Sequence, residues 1–433
     1  MYEPKMKLNK EQDGILQGSQ GEVMSKIMTT IVMFGDMFGA EKLVPITHNE
    51  GHLVTSFGIG LLKPLYKTMT TLIDAKITTK GKFTVDPRPV DYDNVKCNFL
   101  EKLVFDKILY SKQDFYEEQL KKVGLKDENA FTCTCYLPEV GNTPKEGDIL
   151  SWAESSAVVF ANSVLGARCN RNSGMLDLFG SIIGYVPYFG LVTDEGRKAK
   201  WKVIIKTTKL PEAQILGSAI GMKVLEDVPY VVGLDKYLGT ELDDIAISYL
   251  KDFGAATASN GAVGLYHIDN LTPEAKKLKE SLLADKVQEY IIDDAEIERV
   301  YKSYPIMWKN KDAKPNICFI GCPHLTYSQL NDWTSRISDA LEESGRKKVA
   351  VRTIITSAPE VVEKFKEKNI DNYNKLIKMG VHISSICPLM YTNNPLTKHR
   401  AIITNSNKLR TYSIARYYKD NHILQILSGK EVK

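Results

Sequence analysis

The first sixty residues alternate between helical and extended patterns of apolar positions. A helix is predicted to open at Asn9, since asparagine caps helices and acidic residues follow in the first turn. A glycine-rich turn at 18–21 precedes a second helix, which the apolar spacing of residues 23–34 predicts. Two short strands, 43–46 and 53–57, are expected next, on either side of a polar turn.

The middle of the chain mixes both periodicities. Residues 99–130 have a charged, helical pattern, and residues 130–137 have the pattern of a strand. Residues 147–168 are rich in small side chains, which suits a helix packed closely against other backbone. The remaining predicted elements of this region are strands 201–207 and 229–233 and helices 236–253 and 273–284.

The last third repeats a strand–helix–strand pattern. The predicted strands are 316–320, 348–356, 381–383 and 401–404, and the predicted helices are 325–344 and 359–379. Such alternation predicts a parallel sheet. Motifs that follow these strands would lie at their carboxyl ends, where open α/β sheets bind ligands.

The composition is that of an ordinary globular protein. Hydrophobic residues make up 43% of the 433 positions and charged residues 25%, which provides for a core and excludes a wholly disordered chain. The net charge of +4 is spread without blocks of like charge, so it gives no support for nucleic-acid binding. No run reaches the roughly 18 apolar residues of a membrane span, and the polar start is unlike a signal peptide. A cytoplasmic protein is therefore expected.

Seven cysteines are scattered along the chain, too few for a disulfide framework. Cys133, Cys322 and Cys387 stand at predicted breaks in structure. Three distant cysteines at strand ends resemble the ligands of an iron–sulfur cluster more than a zinc ribbon, because no CxxC pair is present. Cys135 and Cys169 compete for the same role, and each thiol could instead be an ordinary buried side chain.

Two short motifs in the N-terminal region could bind a ligand. Gly18 and Gly21 precede a predicted helix, whose first amides and dipole favour a carboxylate or phosphate, although a GxxG turn can equally be a tight helix start. His48, Glu50 and His52 alternate through the predicted strand junction, where they could ligate a metal or line a substrate pocket. Their spacing on an extended chain does not guarantee convergence, and a polar turn with hydrogen-bonded imidazoles is the alternative.

Two further motifs are polar and follow predicted elements. Arg168 and Arg171 flank an asparagine at the end of a glycine-broken helix, and guanidinium groups bind carboxylate or phosphate in bidentate fashion. Surface salt bridges are the alternative interpretation. The loop 404–408 follows the last predicted strand, and this position makes it a pocket candidate as well as a turn.

Taken together, these motifs resemble the large, catalytic subunit of the aconitase X family. The resemblance rests on their order and combination from residue 14 to residue 412. The segments that carry it are GILQGSQGEVMSKIM, FGAEKLVPITHNEG, TCTCYLPEVGNTPKEGD, WAESSAVVFANSVLGARCNRNSG, VPYFGL, GCPHLTYSQL, CPLMY and TNSNKLRTY.

The resemblance implies an α/β protein with an aconitase-like core of three α/β domains around a central cleft, the swivelling domain being absent from this chain. The domains are expected at 1–130, 131–310 and 311–433. The implied activity is that of a hydro-lyase, a dehydratase of a small hydroxy acid that uses an iron–sulfur cluster (4Fe-4S or 2Fe-2S) or a mononuclear iron. A separate small swivelling-domain subunit would carry the base serine, so the chain would act in a heterodimer.

The resemblance also assigns the residues of the site. Cys133, Cys322 and Cys387 would be the metal ligands. The residues expected to act in catalysis are His48, Glu50, Ser155 and His324. The residues expected to bind substrate are Gly18, Gln20, Gly21, Asn162, Ser163, Arg168, Asn170, Arg171, Ser406 and Lys408.

Some positions depart from the family pattern. Members usually have threonine at Cys169, proline at Cys135 and a DENR-like run at 194–197, so either cysteine could replace an expected metal ligand. The expected substrate is cis-3-hydroxy-L-proline, with 5-phosphomevalonate as the alternative. Two other classes stay open: a metal-free thiol enzyme with Cys322 as nucleophile and His324 as base, and a non-enzymatic iron-dependent regulator.

Overall fold

Thirteen strands and eighteen α-helices make up the residues that the computed structural model describes, 2–397 and 399–432. The strands are β1 Leu43–Pro45, β2 Gly51–Leu53, β3 Phe83–Val85, β4 Tyr185–Pro187, β5 Ala199–Ile205, β6 Pro229–Val232, β7 His267–Ile268, β8 Leu283–Ile292, β9 Ile317–Leu325, β10 Arg352–Ser357, β11 Val381–Ser384, β12 Ile402–Thr404 and β13 Arg416–Tyr417. The helices are α1 Lys10–Leu16, α2 Glu22–Met37, α3 Lys63–Asp74, α4 Phe99–Val104, α5 Gln113–Val123, α6 Ser155–Ser163, α7 Leu176–Ile183, α8 Ala213–Val224, α9 Asp235–Leu238, α10 Asp244–Asn260, α11 Pro273–Leu278, α12 Asp294–Lys302, α13 Tyr327–Glu343, α14 Pro359–Lys368, α15 Ile370–Lys378, α16 Pro388–Thr392, α17 Asn407–Tyr412 and α18 Asp420–Leu427.

The N-terminal unit, residues 2–192, contains only two-stranded sheets. Asn9 caps α1, as the sequence predicts, by accepting a backbone hydrogen bond from the first turn. β1 pairs with β4 antiparallel, and β2 pairs with β3 in parallel. Because β1 and β4 lie on either side of residue 130, and buried apolar residues from Met6 to Ile183 share one core, the sequence-based limit at 130 falls inside this unit.

Two extended segments of this unit differ from their prediction. β2 occupies 51–53, so the predicted strand at 53–57 is wrong and His52 stands inside the strand. Residues 130–137 form turns, with a single bridge from Phe131 to β3. The threonines of TCTC hydrogen-bond to one another, and such local bonds compete with a regular ladder.

The middle unit, residues 199–302, is a parallel sheet of strand order β7-β6-β5-β8. α8 and α10 approach each other closely at Gly217. A Cβ at this position would lie 2.4 Å from the Phe253 carbonyl oxygen, so only glycine allows this approach. The predicted helix 273–284 ends at Leu278, and the sequence analysis missed β8. β8 is an edge strand with few buried positions, so its apolar alternation is too weak to predict a strand.

The C-terminal unit, residues 316–427, is the parallel α/β sheet that the sequence predicts, with strand order β11-β10-β9-β12-β13. β9 runs further than predicted, to Leu325, and its register with β10 shifts between Ile355 and Ser357. Residues 321–324 therefore bulge out of the ladder at the centre of the sheet. This bulge carries the GCPH motif.

The architecture is thus α/β with parallel sheets, as the sequence predicts. The largest apolar core joins the middle and C-terminal units with residues 135–169 of the N-terminal unit, and a second core lies within the N-terminal unit. Among the helices of the described residues, none combines the length and the apolar character that crossing a membrane requires.

Candidate functional site

A cavity of about 350 Å³ lies between the N-terminal and C-terminal units. Its wall contains Cys133, Cys322 and Cys387, which come from three segments far apart in sequence. Cys133 lies in the TCTC turns, Cys322 in the β9 bulge, and Cys387 immediately before α16. The amide of Cys387 donates to the Arg88 carbonyl at 2.8 Å, which fixes that segment against the N-terminal unit. The structure therefore brings the three predicted metal ligands to one cavity.

Burial favours the neutral form of these thiols. It raises the pKa of Cys387 to about 12 and raises the pKa of Cys133 and Cys322 above the ordinary value. The thiolate is the form that binds a metal, so metal binding at this cavity would release protons.

The chemistry of this donor set fits an iron centre, because thiolates are the usual ligands of iron–sulfur clusters. Across residues 2–397 and 399–432, however, no group of three or more His, Cys, Asp or Glu side chains is arranged so that it could hold a metal ion. The three sulfurs thus share one cavity without forming a ready single-ion site.

His324 also lines the cavity, and both of its ring nitrogens are engaged. Nδ1 lies 3.0 Å from Thr132 Oγ1, and Nε2 lies 3.2 Å from the Ile386 carbonyl oxygen. Burial lowers the pKa of His324 to about 4, so the ring is neutral near pH 7. Because its nitrogens bind other partners, His324 is not hydrogen-bonded to Cys322 as the thiol-enzyme hypothesis requires, and the structure contradicts that hypothesis.

A buried ion pair between Glu154 and Lys408 forms another wall of the cavity. Glu154 caps α6 by accepting from the Ala157 amide at 2.6 Å, and it also accepts from the Ser156 hydroxyl. Burial alone would raise the pKa of Glu154, but the Lys408 ammonium holds that pKa below its usual value. Burial alone would lower the pKa of Lys408, and Glu154 raises it instead. Ser155, the first residue of α6, lies beside this pair in the cavity wall.

Ser406 and Lys408 reach the site from the polar loop after β12. Ser406 caps α17 by accepting from the Leu409 amide at 3.1 Å, and its hydroxyl donates to the Cys322 carbonyl. The loop predicted as a pocket candidate thereby fixes the β9 bulge and places Lys408 in the cavity wall.

Asp86 and His52 form a further part of the site. The sequence analysis did not identify Asp86, and it considered His52 as a possible metal ligand rather than as a partner of Asp86. Asp86 follows β3 and lines the cavity, and burial raises its pKa to about 6. His52 Nε2 lies 3.6 Å from Asp86 Oδ1, and His52 Nδ1 pairs with Thr84 Oγ1 at 2.9 Å. His52 thus stands behind Asp86 with its ring fully buried. The sequence feature that could have identified Asp86 is an acidic residue directly after a buried strand, in the segment FTVDP.

Arg171 lies close to this cavity without belonging to a salt bridge of the described residues. Burial lowers the pKa of its guanidinium, and Tyr412 and Glu154, which both line the cavity, partly offset that effect. Arg168, by contrast, pairs with Asp194 at 2.5 Å, and Arg197 pairs with Glu274 at 2.8 Å. Unlike Arg168 and Arg197, Arg171 can therefore bind an anionic ligand without first breaking an ion pair.

Other predicted substrate residues are occupied with holding the fold. Asn162 exchanges hydrogen bonds with the Cys169 backbone, and Ser163 accepts from the Tyr266 amide. Asn170 bridges the Phe189 and Leu191 backbones. None of these three side chains lines the cavity of the thiols, although each belongs to the described residues.

The predicted N-terminal motifs also lie outside the wall of this cavity. Gly18, Gln20 and Gly21 form a turn before α2 with positive φ angles at both glycines, and Gln20 and Gly21 are exposed. His48 Nε2 pairs with Asn142 Oδ1 at 2.7 Å, and His52 packs in the core rather than converging with His48 on a metal. One carboxylate oxygen of Glu50 is buried and has no hydrogen-bond partner among the described residues.

The competing cysteines do not line the cavity. Cys135 and Cys169 are fully buried, and Cys169 accepts a hydrogen bond from the Trp152 amide at 3.4 Å. Burial raises the pKa of Cys169 to about 12, as expected for a thiol that packs as an apolar side chain.

Comparison with known proteins identifies three successive family segments. The aconitase X first domain matches residues 5–195, the second domain residues 200–302 and the third domain residues 315–427. The crystal structure of Thermococcus kodakaraensis aconitase X (holo-form) superposes with a TM-score of 0.78 at 26% identity, covering 98% of this chain and 100% of that one.

Two curated relatives represent two activities. The phosphomevalonate dehydratase large subunit of Methanocaldococcus jannaschii is 35% identical over 75% of this chain and 77% of its own length. The cis-3-hydroxy-L-proline dehydratase of Hypocrea jecorina is 28% identical over 94% of this chain and 65% of its own length. Both relatives are dehydratases, so this chain is a lyase, and the hypothesis of a non-enzymatic regulator is wrong. With all three domain segments matched in order along the chain, the protein belongs to the aconitase X family.

Proposed function

We propose that this chain is the large subunit of a dehydratase that acts on phosphomevalonate. The observation that carries the proposal is the higher identity to the phosphomevalonate dehydratase large subunit, 35% against 28% for the cis-3-hydroxy-L-proline dehydratase. The substrate expected from sequence, cis-3-hydroxy-L-proline, becomes the second candidate, supported by the 28% identity to the dehydratase of Hypocrea jecorina.

The cavity between the N-terminal and C-terminal units is the proposed substrate site. Apolar side chains such as Val54, Phe57 and Leu389 form much of its wall and exclude water from the reacting carbons. The Glu154–Lys408 pair and the Ser155 hydroxyl supply polar contacts on one side, where they can orient the hydroxy acid.

An iron centre, as a cluster or a single iron, is proposed as the cofactor. Cys133, Cys322 and Cys387 would hold it, since these thiols face the same cavity as Ser155 and Lys408. When bound, such a centre supplies a Lewis acid that polarises the departing hydroxyl. The assay of iron and acid-labile sulfide in anaerobically purified protein distinguishes a cluster from a single iron.

Arg171 is proposed to bind an anionic group of the substrate at the edge of this cavity. Its guanidinium makes no salt bridge with the described residues, so binding requires no exchange of partners. Lys408 is less available for this role because Glu154 neutralises it. A charged hydrogen bond contributes about 1.5–3 kcal/mol, which corresponds to roughly 10–100-fold in affinity.

Dehydration also requires a base that removes a proton from the carbon next to the hydroxyl-bearing one. The relative is named a large subunit, so a small subunit is the proposed partner and the proposed source of this base. The described cavity residues would then hold the substrate while the partner removes the proton.

The test is turnover by the full chain, co-expressed anaerobically with a candidate small subunit. We expect loss of water from phosphomevalonate and little from cis-3-hydroxy-L-proline. Arg171→Ala should raise KM for phosphomevalonate about 10–100-fold, with Arg171→Lys intermediate. Arg299→Ala, which removes an exposed arginine paired with Glu296, is the matched control and should leave KM unchanged. Preferential turnover of cis-3-hydroxy-L-proline would show that the second candidate is correct.

A further inference from the structure

One imidazole contacts all three of the cysteine-bearing segments. His324 is two residues beyond Cys322 in the β9 bulge. Its ring reaches Thr132, which precedes Cys133, and Ile386, which precedes Cys387. Its backbone amide also donates to Cys133 Sγ at 3.5 Å.

The partners define which ring nitrogen carries the proton. The Ile386 carbonyl can only accept, so Nε2 donates to it. Nδ1 must then accept, and the Thr132 hydroxyl donates to it across 3.0 Å. Thr132 Oγ1 in turn accepts from the Thr134 amide at 3.1 Å, so the hydroxyl is held in this orientation from the far side.

These contacts cross the boundary between two units of the fold. Thr132 belongs to the N-terminal unit, whereas His324 and Ile386 belong to the C-terminal unit, and the His324 side chain is completely buried between them. A buried imidazole with both nitrogens satisfied is rigid, because losing either bond leaves a polar atom without a partner.

We propose that His324 is a positioning residue, which holds the Cys133, Cys322 and Cys387 segments around one cavity through its bonds to Thr132 and Ile386. The inference rests on the proposed function in taking these thiols as the ligands of an iron centre. It replaces the catalytic role expected for His324, since neither ring nitrogen is available to a substrate. Partners that orient metal ligands typically change metal affinity by about 10–100-fold when they are removed.

Thr132 provides the most direct test because its hydroxyl can be removed without changing the shape of the side chain. Thr132→Val deletes the donor to His324, and Thr132→Ser retains it. His324→Leu removes both ring contacts, and His324→Gln retains an amide donor that can reach the Ile386 carbonyl. Thermal unfolding confirms that each full-chain variant is folded before it is compared.

The first measurement uses the metal-free full chain and depends on no cofactor. Iodoacetamide alkylation is followed at each cysteine by mass spectrometry. We expect Thr132→Val to accelerate alkylation of Cys133 several-fold and His324→Leu to accelerate it at all three cavity cysteines, with Thr132→Ser like the wild type. Cys169, which accepts a hydrogen bond from the Trp152 amide and does not line the cavity, serves as the internal control.

The second measurement is the titration of each variant with Co²⁺, whose thiolate complexes absorb light. We expect Thr132→Val to weaken Co²⁺ binding about 10–100-fold and Thr132→Ser to restore it. Unchanged alkylation rates in both Thr132→Val and His324→Leu would overturn the positioning role. If those rates change while neither iron nor Co²⁺ binds the wild type, the proposed iron centre fails and the positioning role is supported.

Discussion

Lys408 and Glu154, separated by 254 positions in the sequence, form an ion pair between the N-terminal and C-terminal units in the wall of the thiol cavity. The side chains are 16% and 2% exposed, so neither charge is well solvated when its partner is lost. This pair therefore contributes to the contact between the two units as well as to the polarity of the site.

Removing one member of this pair should be costly. We expect Lys408→Met to lower the free energy of unfolding by about 3–5 kcal/mol, because it leaves the Glu154 carboxylate buried and alone. The double variant Lys408→Met/Glu154→Gln should recover most of that loss. Urea unfolding measures both, with Lys26→Met as the control, since Lys26 and Glu22 are 73% and 80% exposed. A double variant no more stable than Lys408→Met would contradict the expected coupling.

Substitution of the cavity thiols should remove iron without unfolding the protein. Cys387→Ser replaces a proposed ligand, and we expect anaerobically purified protein to retain less than half of the wild-type iron, since a serine hydroxyl is a poor ligand for iron. Cys97→Ser is the matched control, because Cys97 does not line the cavity. Iron content per chain, measured by colorimetric assay, is the readout. Equal iron in the two variants would argue against Cys387 as a ligand.

The pH dependence of stability should have a contribution from His267. Burial lowers the pKa of this histidine to about 4, and Nε2 lies 2.9 Å from the Arg197 carbonyl oxygen. The unfolded chain binds a proton near pH 6.5 and the folded chain does not, so stability is lost as the pH falls from about 6.5 to 4. The full loss from this group is about 3 kcal/mol.

The variant His267→Gln retains a donor for that carbonyl and does not titrate. Between pH 7.5 and pH 4.5, its free energy of unfolding should therefore fall by about 2–3 kcal/mol less than that of the wild type. Urea unfolding at a series of pH values measures the difference. Parallel curves for the two proteins would show that His267 has an ordinary pKa in the folded state.

Gly321, which opens the β9 bulge, should not tolerate a side chain. Its φ is +102°, and a Cβ would lie 2.4 Å from the Thr356 carbonyl oxygen. We expect Gly321→Ala to destabilise the fold by about 2–4 kcal/mol, combining backbone strain with that clash. Gly345→Ala is the control, because Gly345 also has a positive φ but open space around its Cβ position, and we expect about 1 kcal/mol there. Equal losses in the two variants would show that the close approach to Thr356 costs nothing.

The parallel sheet of the C-terminal unit could be predicted from sequence because its strands are short apolar runs between amphipathic helices. The β9 bulge could not, since the pairing of a strand beyond a glycine depends on contacts with β10 that are distant in sequence. The pairing of β1 with β4 escaped prediction for the same reason, whereas β8 escaped it because an edge strand with few buried positions has only weak apolar alternation.

The candidate site was predicted in part. The three cysteines, Ser155 and Lys408 share the cavity, and their types and motif context identified them. Arg168 and Asn162 carry the same chemical groups as site residues, but the structure uses them in ion pairs and backbone hydrogen bonds. Only tertiary contacts distinguish a ligand-binding side chain from one that holds the fold together. Asp86 escaped prediction for a different reason, because a single carboxylate after a strand forms no recognisable motif.

The positions of the three cavity cysteines have a consequence for synthesis. Cys387 must reach the same cavity as Cys133, which leaves the ribosome some 250 positions earlier. A nascent chain therefore exposes Cys133 long before its two companions are available. The proposed centre cannot be complete before Cys387 has been synthesised, and the early thiol needs a reducing environment during that interval.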